Sequence, residues 1–204
     1  MIYLFGAGGH AKVIIEILQA QGVSGMEAID AHKVGAVLNV PILHRSIPEK
    51  LEAGDGVIIA IGNNYVRNRI SRERNDVDYA KAIHPSCNIS PTAVIGAGSV
   101  AMAGVSVNAD SVIGEHVILN TNCCVDHDCK IGDCAHISPN AALAGNVKIG
   151  EGTQIGIGAC VIPGINIGKW ATIGAGAVII EDVPDYAVIA GNPGRIIRYN
   201  SMNE

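Results

Sequence analysis

Aromatic residues are scarce in this 204-residue chain: one Trp, one Phe and five Tyr, 3% of the total. Ring packing therefore cannot build its core, and a repetitive backbone with small side chains is the natural alternative. No apolar run approaches the roughly 20 residues of a membrane span, and residues 1–5 are too short for a secretory leader. A cytoplasmic protein without membrane insertion is expected. Positive charge is also in deficit, with a formal net charge of -5 and no long Lys/Arg run. That argues against nucleic-acid or acidic-membrane binding, so an anionic ligand needs a local site. Six cysteines are present, but Cys87, Cys123 and Cys129 occupy small-residue positions of a repeat, and reduced packing thiols are the expected state.

What the chain does have is 25 glycines, 49% hydrophobic residues and a period. An aliphatic residue returns every six positions: Ile83, Ile89, Ile95, then Val107, Ile113, Leu119, Val125, Ile131, Ile137, Leu143, Ile149, Ile155, Val161, Ile167, Ile173 and Ile179, with Ala101 the one exception. A small or β-branched residue follows four positions later, as at Ser99, Val105, Cys123, Ala135, Ala141 and Thr153. Fixed-period self-similarity marks a solenoid. Period six suits neither an amphipathic helix nor a hairpin, but it fits a short strand plus a turn wound around a prism. Three hexads make one 18-residue coil, and successive coils pair as parallel strands about 4.8 Å apart. The hexads run unbroken over residues 83–184.

The front of the chain reads differently. Ile2–Phe5 is a short buried strand, Gly6-Ala7-Gly8-Gly9 a tight loop, and residues 10–21 show helical spacing at Val13, Ile14, Ile17 and Leu18. Residues 57–61 form a second apolar strand, followed by Gly62-Asn63-Asn64 and a helix-like basic stretch with Arg67, Arg69, Arg72 and Arg74. Glycine turns at helix starts let backbone N–H groups approach a phosphate. Gly6-x-Gly8-x-x-Ala11 meets the loose dinucleotide fingerprint, with Asp30 near the place of its ribose-binding acid. About 80 residues are too few for a full dinucleotide fold. A mononucleotide such as the UDP of a nucleotide sugar fits better, and a turn that merely packs helix on strand is the alternative. The expected organisation is a small Rossmann-like α/β domain with a parallel sheet over residues 1–82, binding nucleotide sugar. A parallel β-helix of hexapeptide repeats with a C-terminal tail, residues 83–204, follows.

Of seven histidines, His32, His44 and His116 are expected at surface or turn positions and His84, before Pro85, at a structural junction. His127 differs: it stands between Asp126 and Asp128 on a turn, and a neighbouring carboxylate fixes an imidazole's tautomer and supports its cation, as a general base requires. One coil further, Gly145 should stack on His127 and offer an N–H to an oxyanion. Asn122 falls under Asn140 by the same arithmetic, as an amide ladder. His136 should not neighbour His127 within one chain, although the two could meet across a subunit interface.

Asn120-Thr121-Asn122, His127-Asp128 and Gly132-Asp133-x-x-His136-Ile137, with Gly8-Gly9-His10 and Gly62-Asn63-Asn64 in front, resemble the bacterial hexapeptide-repeat sugar acetyltransferases, including UDP-4-amino-sugar N-acetyltransferases and sialic-acid O-acetyltransferase-like proteins. The resemblance covers essentially the whole chain. It implies a left-handed prism, a homotrimer with active sites between subunits, and acetyl-CoA as co-substrate without a metal. It also implies His127 as base with Asp128, where relatives often carry Glu, orienting it. His136 would contact the thioester region, and Asn120, Gly145, Ile157 and Ala175 would line the pantetheine channel. Gly8, Gly9, His10, Asn63 and Asn64 would contact the nucleotide sugar. The closing string Ala190-Gly191-Asn192-Pro193-Gly194-Arg195 resembles the Gly-Asn-Pro-Ala-Lys that ends such prisms, with Arg195 placed for a CoA phosphate.

The reaction so implied is direct acetyl transfer to the 4-amino group of a UDP-linked amino-deoxy sugar. O-acetylation of sialic acid or another sugar hydroxyl is the alternative, and a non-catalytic nucleotide-sensing or assembly module is the rival of another class. Zinc hydration on such a prism needs three converging ligands, and no closely spaced histidine string accompanies His127 and His136. Cysteine catalysis needs an activated thiolate; Cys123 and Cys129 point inward, and Cys124, Cys134 and Cys160 have no paired base.

Overall fold

The computed structural model describes residues 1–43, 52 and 54–201; His44 lies outside them. The front of the chain is an α/β layer. β1 (Ile2–Phe5) runs through the glycine loop into α1 (Gly9–Ala20), which buries Ala11, Ile14, Ile15, Ile17 and Leu18 on one face, the three-to-four spacing that lays a helix on a sheet. Next come β2 (Met26–Ile29), β3 (Gly35–Val37) and β4 (Val40–Leu43), which the sequence pattern did not separate. β3 and β4 form a hairpin whose turn residues, Leu38 and Asn39, both have positive φ. Strands this short leave no alternation to read, and Leu-Asn is a weaker hairpin signal than Asn-Gly. β5 (Gly56–Ile59) and α2 (Asn64–Glu73) complete the layer, in spatial order β3-β4-β2-β1-β5. β1 and β5 are parallel neighbours, so the loops following them open at the same carboxyl edge, where α/β sheets bind ligands.

From Ala82–Ile83 the chain winds through two-residue strands in three parallel walls. Register follows the 18-residue coil: Ser106 pairs Cys124, which pairs Ala142, which pairs Cys160. The inward columns, such as Ile113, Ile131, Ile149 and Ile167, are buried, each such side chain contributing roughly 1.5–3 kcal/mol on burial. The expected order, an α/β front followed by a parallel β-helix of hexapeptide repeats, is the one observed. Two details differ. The last register step shortens, Thr172 pairing Val188, and the tail strand Arg195–Tyr199 turns back antiparallel on Ala187–Ala190. Second, Asn122 and Asn140 make no amide ladder among the described residues. Both occupy the hexad corner, where every sixth residue from Gly98 to Gly176 has φ between 54° and 77°. Gly, Asn and Asp tolerate that left-handed conformation best, which accounts for the asparagines.

The three walls have different outer surfaces. On the first, Val100, Met102 and Ile118 join Ile14, Leu18 and Ile58 in one apolar cluster, so the front domain is docked there. The second carries Val112, Lys130, Lys148 and Asn166. The third begins at Asn88 and above it carries Ser106, Cys124, Ala142, Cys160 and Val178, each small or apolar.

Arg67, read from the sequence as part of a basic stretch, is 1% exposed. Its guanidinium donates to the carbonyls of Ile61, Gly62, His116 and Cys134 and to Asn64 Oδ1. All five N–H directions are used, so it rivets α2 to the prism and has none left for an anion. Arg72 pairs with Glu151 and Arg74 with Asp76. His116, expected at the surface, does sit at a corner but is 3% exposed. Tyr79 covers its ring edge-on at 4.3 Å between centroids.

Candidate active site

The Asp126-His127-Asp128 turn lies at a prism corner, with Asp128 in the left-handed conformation at φ 59°. Asp128 Oδ2 accepts from His127 Nδ1 at 2.7 Å, which leaves Nε2 of the neutral ring as a proton acceptor. The bond to Asp128 and then the charge of Asp126 push the His127 pKa above the usual histidine value. Gly145 stacks against the ring: a Cβ there would lie 2.6 Å from both Cε1 and Nε2. Asn146 N donates to His127 O at 2.9 Å, whereas the Gly145 N–H donates to no group among the described residues. A proton acceptor and an unspent backbone donor thus sit side by side, the pair that acyl transfer uses.

The remaining predicted residues fall in three places. His136 and Asn120 meet beside the docked front domain. Asn120 Oδ1 accepts from Thr121 N at 2.8 Å, so its amide nitrogen must be the donor to His136 Nε2 at 3.0 Å. The ring proton then resides on Nδ1. Burial, then Arg67 and His10, lower the His136 pKa to about 4, and burial with Arg67 does the same for His10; both are neutral at pH 7. Ile157 and Ala175 are exposed on the same corner as Asn120. Within one chain the structure does not bring this corner to His127, because the wall of Cys124, Ala142 and Cys160 separates them. Arg195 is exposed at the tail, its Nη1 donating to Gly194 O, beside a 270 Å³ cavity that also holds Glu181 and Asp182.

In the front domain, Gly8 caps α1 without a side chain, and a Cβ at Gly8 or Gly9 would meet nothing within 4 Å, leaving the first helical N–H groups uncovered. Gly6, at φ 109°, is the position that needs glycine, since a Cβ there would press on Ile61 and the Ala60 carbonyl. Asp30 holds this loop: Oδ2 accepts from Ala7 N, and Oδ1 from His32 N and Lys33 N. Those bonds, led by that from His32, keep its carboxyl below the usual range. Asp30 lines a 750 Å³ cavity with Phe5, Gly6, Ile29, Arg69 and Arg74. Asn63 and Asn64 line a separate 250 Å³ cavity with Tyr65 and Trp170. Asn63 caps α2 by accepting from Val66 N, and Asn64 donates to Gly152 O, so both amides also serve the fold. The sequence reading missed Asn108, which bonds Asp126, although the 18-residue step that found Gly145 points to it.

A prism of hexapeptide coils with a carboxylate-backed histidine at one corner, and a glycine-loop α/β domain docked on one wall, defines the class of hexapeptide-repeat acyltransferases. Residues 1–73 match the family model for the PglD N-terminal domain, and residues 146–181 that for the bacterial transferase hexapeptide (six repeats). The acetyltransferase domain of PglB from Neisseria gonorrhoeae FA1090, also solved with acetyl coenzyme A, is 39% identical with a TM-score of 0.91, over 96% of this chain and 98% of that one. PerB from Caulobacter crescentus, solved with CoA and GDP-perosamine, is 42% identical with a TM-score of 0.89, over 96% of both chains. UDP-N-acetylbacillosamine N-acetyltransferase of Bacillus subtilis (strain 168) is 41% identical over 116 residues, 50% of this chain and 51% of that protein. The chain thus matches about half the length of this curated relative. It belongs to the hexapeptide-repeat sugar acetyltransferase family. No helix among the described residues is long and apolar enough to cross a membrane, and none of their His, Cys, Asp and Glu side chains cluster as a metal site.

Proposed function

We propose that the protein transfers acetyl from acetyl-CoA to the 4-amino group of a UDP-linked amino-deoxy sugar, with residues 1–82 binding the nucleotide sugar and residues 83–204 catalysing the transfer. The observation that carries the reading is His127, backed by Asp128 and stacked on Gly145. His127 Nε2 removes a proton as the sugar nitrogen bonds to the thioester carbon. The Gly145 N–H donates to the developing oxyanion, and the carbon–sulfur bond breaks as the His127 imidazolium returns its proton to the sulfur, releasing CoA as thiol. Asp128 supports the imidazolium. His136 and Asn120, neutral at pH 7, act as hydrogen-bonding groups beside the thioester, with Ile157 and Ala175 along the pantetheine and Arg195 toward a phosphate. Gly8, Gly9 and His10 at the start of α1 receive the diphosphate. Asp30 lies in the larger cavity, and Asn63 and Asn64 line the separate, smaller one. An amine acceptor is favoured because the Bacillus relative is named an N-acetyltransferase and PerB was solved with an amino-sugar nucleotide.

The separation of the two corners within one chain supports a homotrimer whose sites lie between subunits. The small-residue wall between them, bordered by the exposed Ile157, Ile162 and Ile180, is a flat apolar surface of the kind subunits bury.

The experiment is CoA thiol release with UDP- and GDP-linked 4-amino sugars, free amino sugars and sialic acid, for wild type and His127→Ala. Turnover with the UDP-linked amine alone, lost in the variant, is expected; turnover of sialic acid alone would move the acceptor to a hydroxyl. In the same assay, co-expressed His127→Ala and Asn120→Ala chains should regain part of the activity each lacks. No regain would refute the shared site.

A further inference from the structure

The turn that carries His127 is clamped from the preceding coil by groups outside the acyl-transfer machinery already described. Asn108 Nδ2 donates to Asp126 Oδ1 at 2.8 Å, and the same oxygen accepts from His127 N at 2.8 Å. Buried Ser111 donates to Asp126 O at 2.6 Å and accepts from Cys129 N at 3.0 Å. Asp128 N donates to Ala109 O at 3.0 Å. The backbone of the turn is thereby fixed at both ends, and among the described residues the Asn108–Asp126 bond is what joins a side chain of the preceding coil to a side chain of the turn.

We propose that Asn108 and Asp126 are positioning residues for His127: the Asn108 amide holds the Asp126 carboxylate, which pins the His127 N–H and stands as a second anion beside the ring when it takes up a proton. This rests on His127 being the base. Asp126 and Asp128, on its own turn, are the charged groups that face the ring. Asn108 and Ala109 from the coil before it, and Gly145 and Asn146 from the coil after it, are uncharged. Asp128 bonds the ring directly and sets its orientation; Asp126 has no bond to the ring and acts through the backbone and its charge. A carboxylate held by a charge-assisted hydrogen bond keeps its negative charge to low pH, and the Asn108 bond is the first cause of the lowered Asp126 pKa.

The test separates charge from tether. Asp126→Asn keeps the size and an accepting oxygen but removes the charge; Asn108→Ala removes the tether and keeps the charge. Both are assayed by thiol release as full pH profiles, with thermal unfolding as the folding control. Asp126→Asn should move the acidic limb of kcat/KM to lower pH by about half a unit or more and leave KM for acetyl-CoA unchanged. Asn108→Ala should lower kcat roughly 3–10-fold, the order expected for a slightly misplaced base, with KM again unchanged. A limb that stays in place in Asp126→Asn, while His127→Ala is inactive, would overturn the positioning role alone. Wild-type turnover in His127→Ala would instead remove the base assignment beneath it. Should Asp126→Asn not fold, Asp126→Ser gives the same comparison.

Discussion

Gly145→Ala should silence the enzyme without unfolding it. The backbone of Gly145 is outside the left-handed region, so alanine can adopt it. Its new Cβ would stand 2.6 Å from His127 Cε1 and Nε2, whereas ordinary contact begins at 3.4 Å. The ring must therefore retreat by nearly 1 Å, and it cannot do so while keeping the 2.7 Å bond to Asp128. Misplacement on that scale costs about 10²-fold in rate. The ring is 59% exposed and is free to swing outward, so the stability change should stay below about 1 kcal/mol. The assay is kcat by thiol release at saturating acetyl-CoA, beside thermal unfolding of the same preparation. A kcat within twofold of wild type at unchanged Tm would refute the stacking of base and glycine as the working arrangement.

Two further outcomes concern the seam between the domains. Burial, with Arg67 nearby, lowers His10, His116 and His136 to about 4. Between about pH 6.5 and 4 the unfolded chain binds more protons than the folded one, so stability is lost as pH falls through that window, by on the order of 3 kcal/mol for each ring. The urea midpoint should drop from pH 7 to pH 5, and an equal midpoint at both would contradict the buried neutral rings. Arg67→Met should cost at least about 3 kcal/mol, because five oxygens, including those of His116 and Cys134, lose their donor. An unchanged urea midpoint would show that these groups find other donors.

The prism was legible because its signal repeats. One aliphatic residue per hexad, from Ile83 to Ile179, specifies the inward column and the 18-residue step, and that step alone put Gly145 on His127. The Gly-Asn-Asp corners follow from the local cost of a left-handed φ. The front domain was half legible: α1 and α2 follow glycine turns with helical spacing, and β1 and β5 lie in apolar runs that end at such a turn, while β2 and β4, no shorter, are interrupted by Glu27 and Pro41, and β3 has only three residues. What only the tertiary structure decided are the contacts between elements without a shared repeat. These are Arg67 as a rivet and not a phosphate ligand, His116 buried under Tyr79, Asp30 holding the glycine loop, and Asn108 tethering Asp126. The separation of the Asn120 corner from the His127 corner is of the same kind. A period fixes what stacks on what along the prism, because each coil templates the next through the same hydrogen bonds. How the front domain lies on one wall depends on packing between residues far apart in the chain, for which the sequence carries no repeating mark.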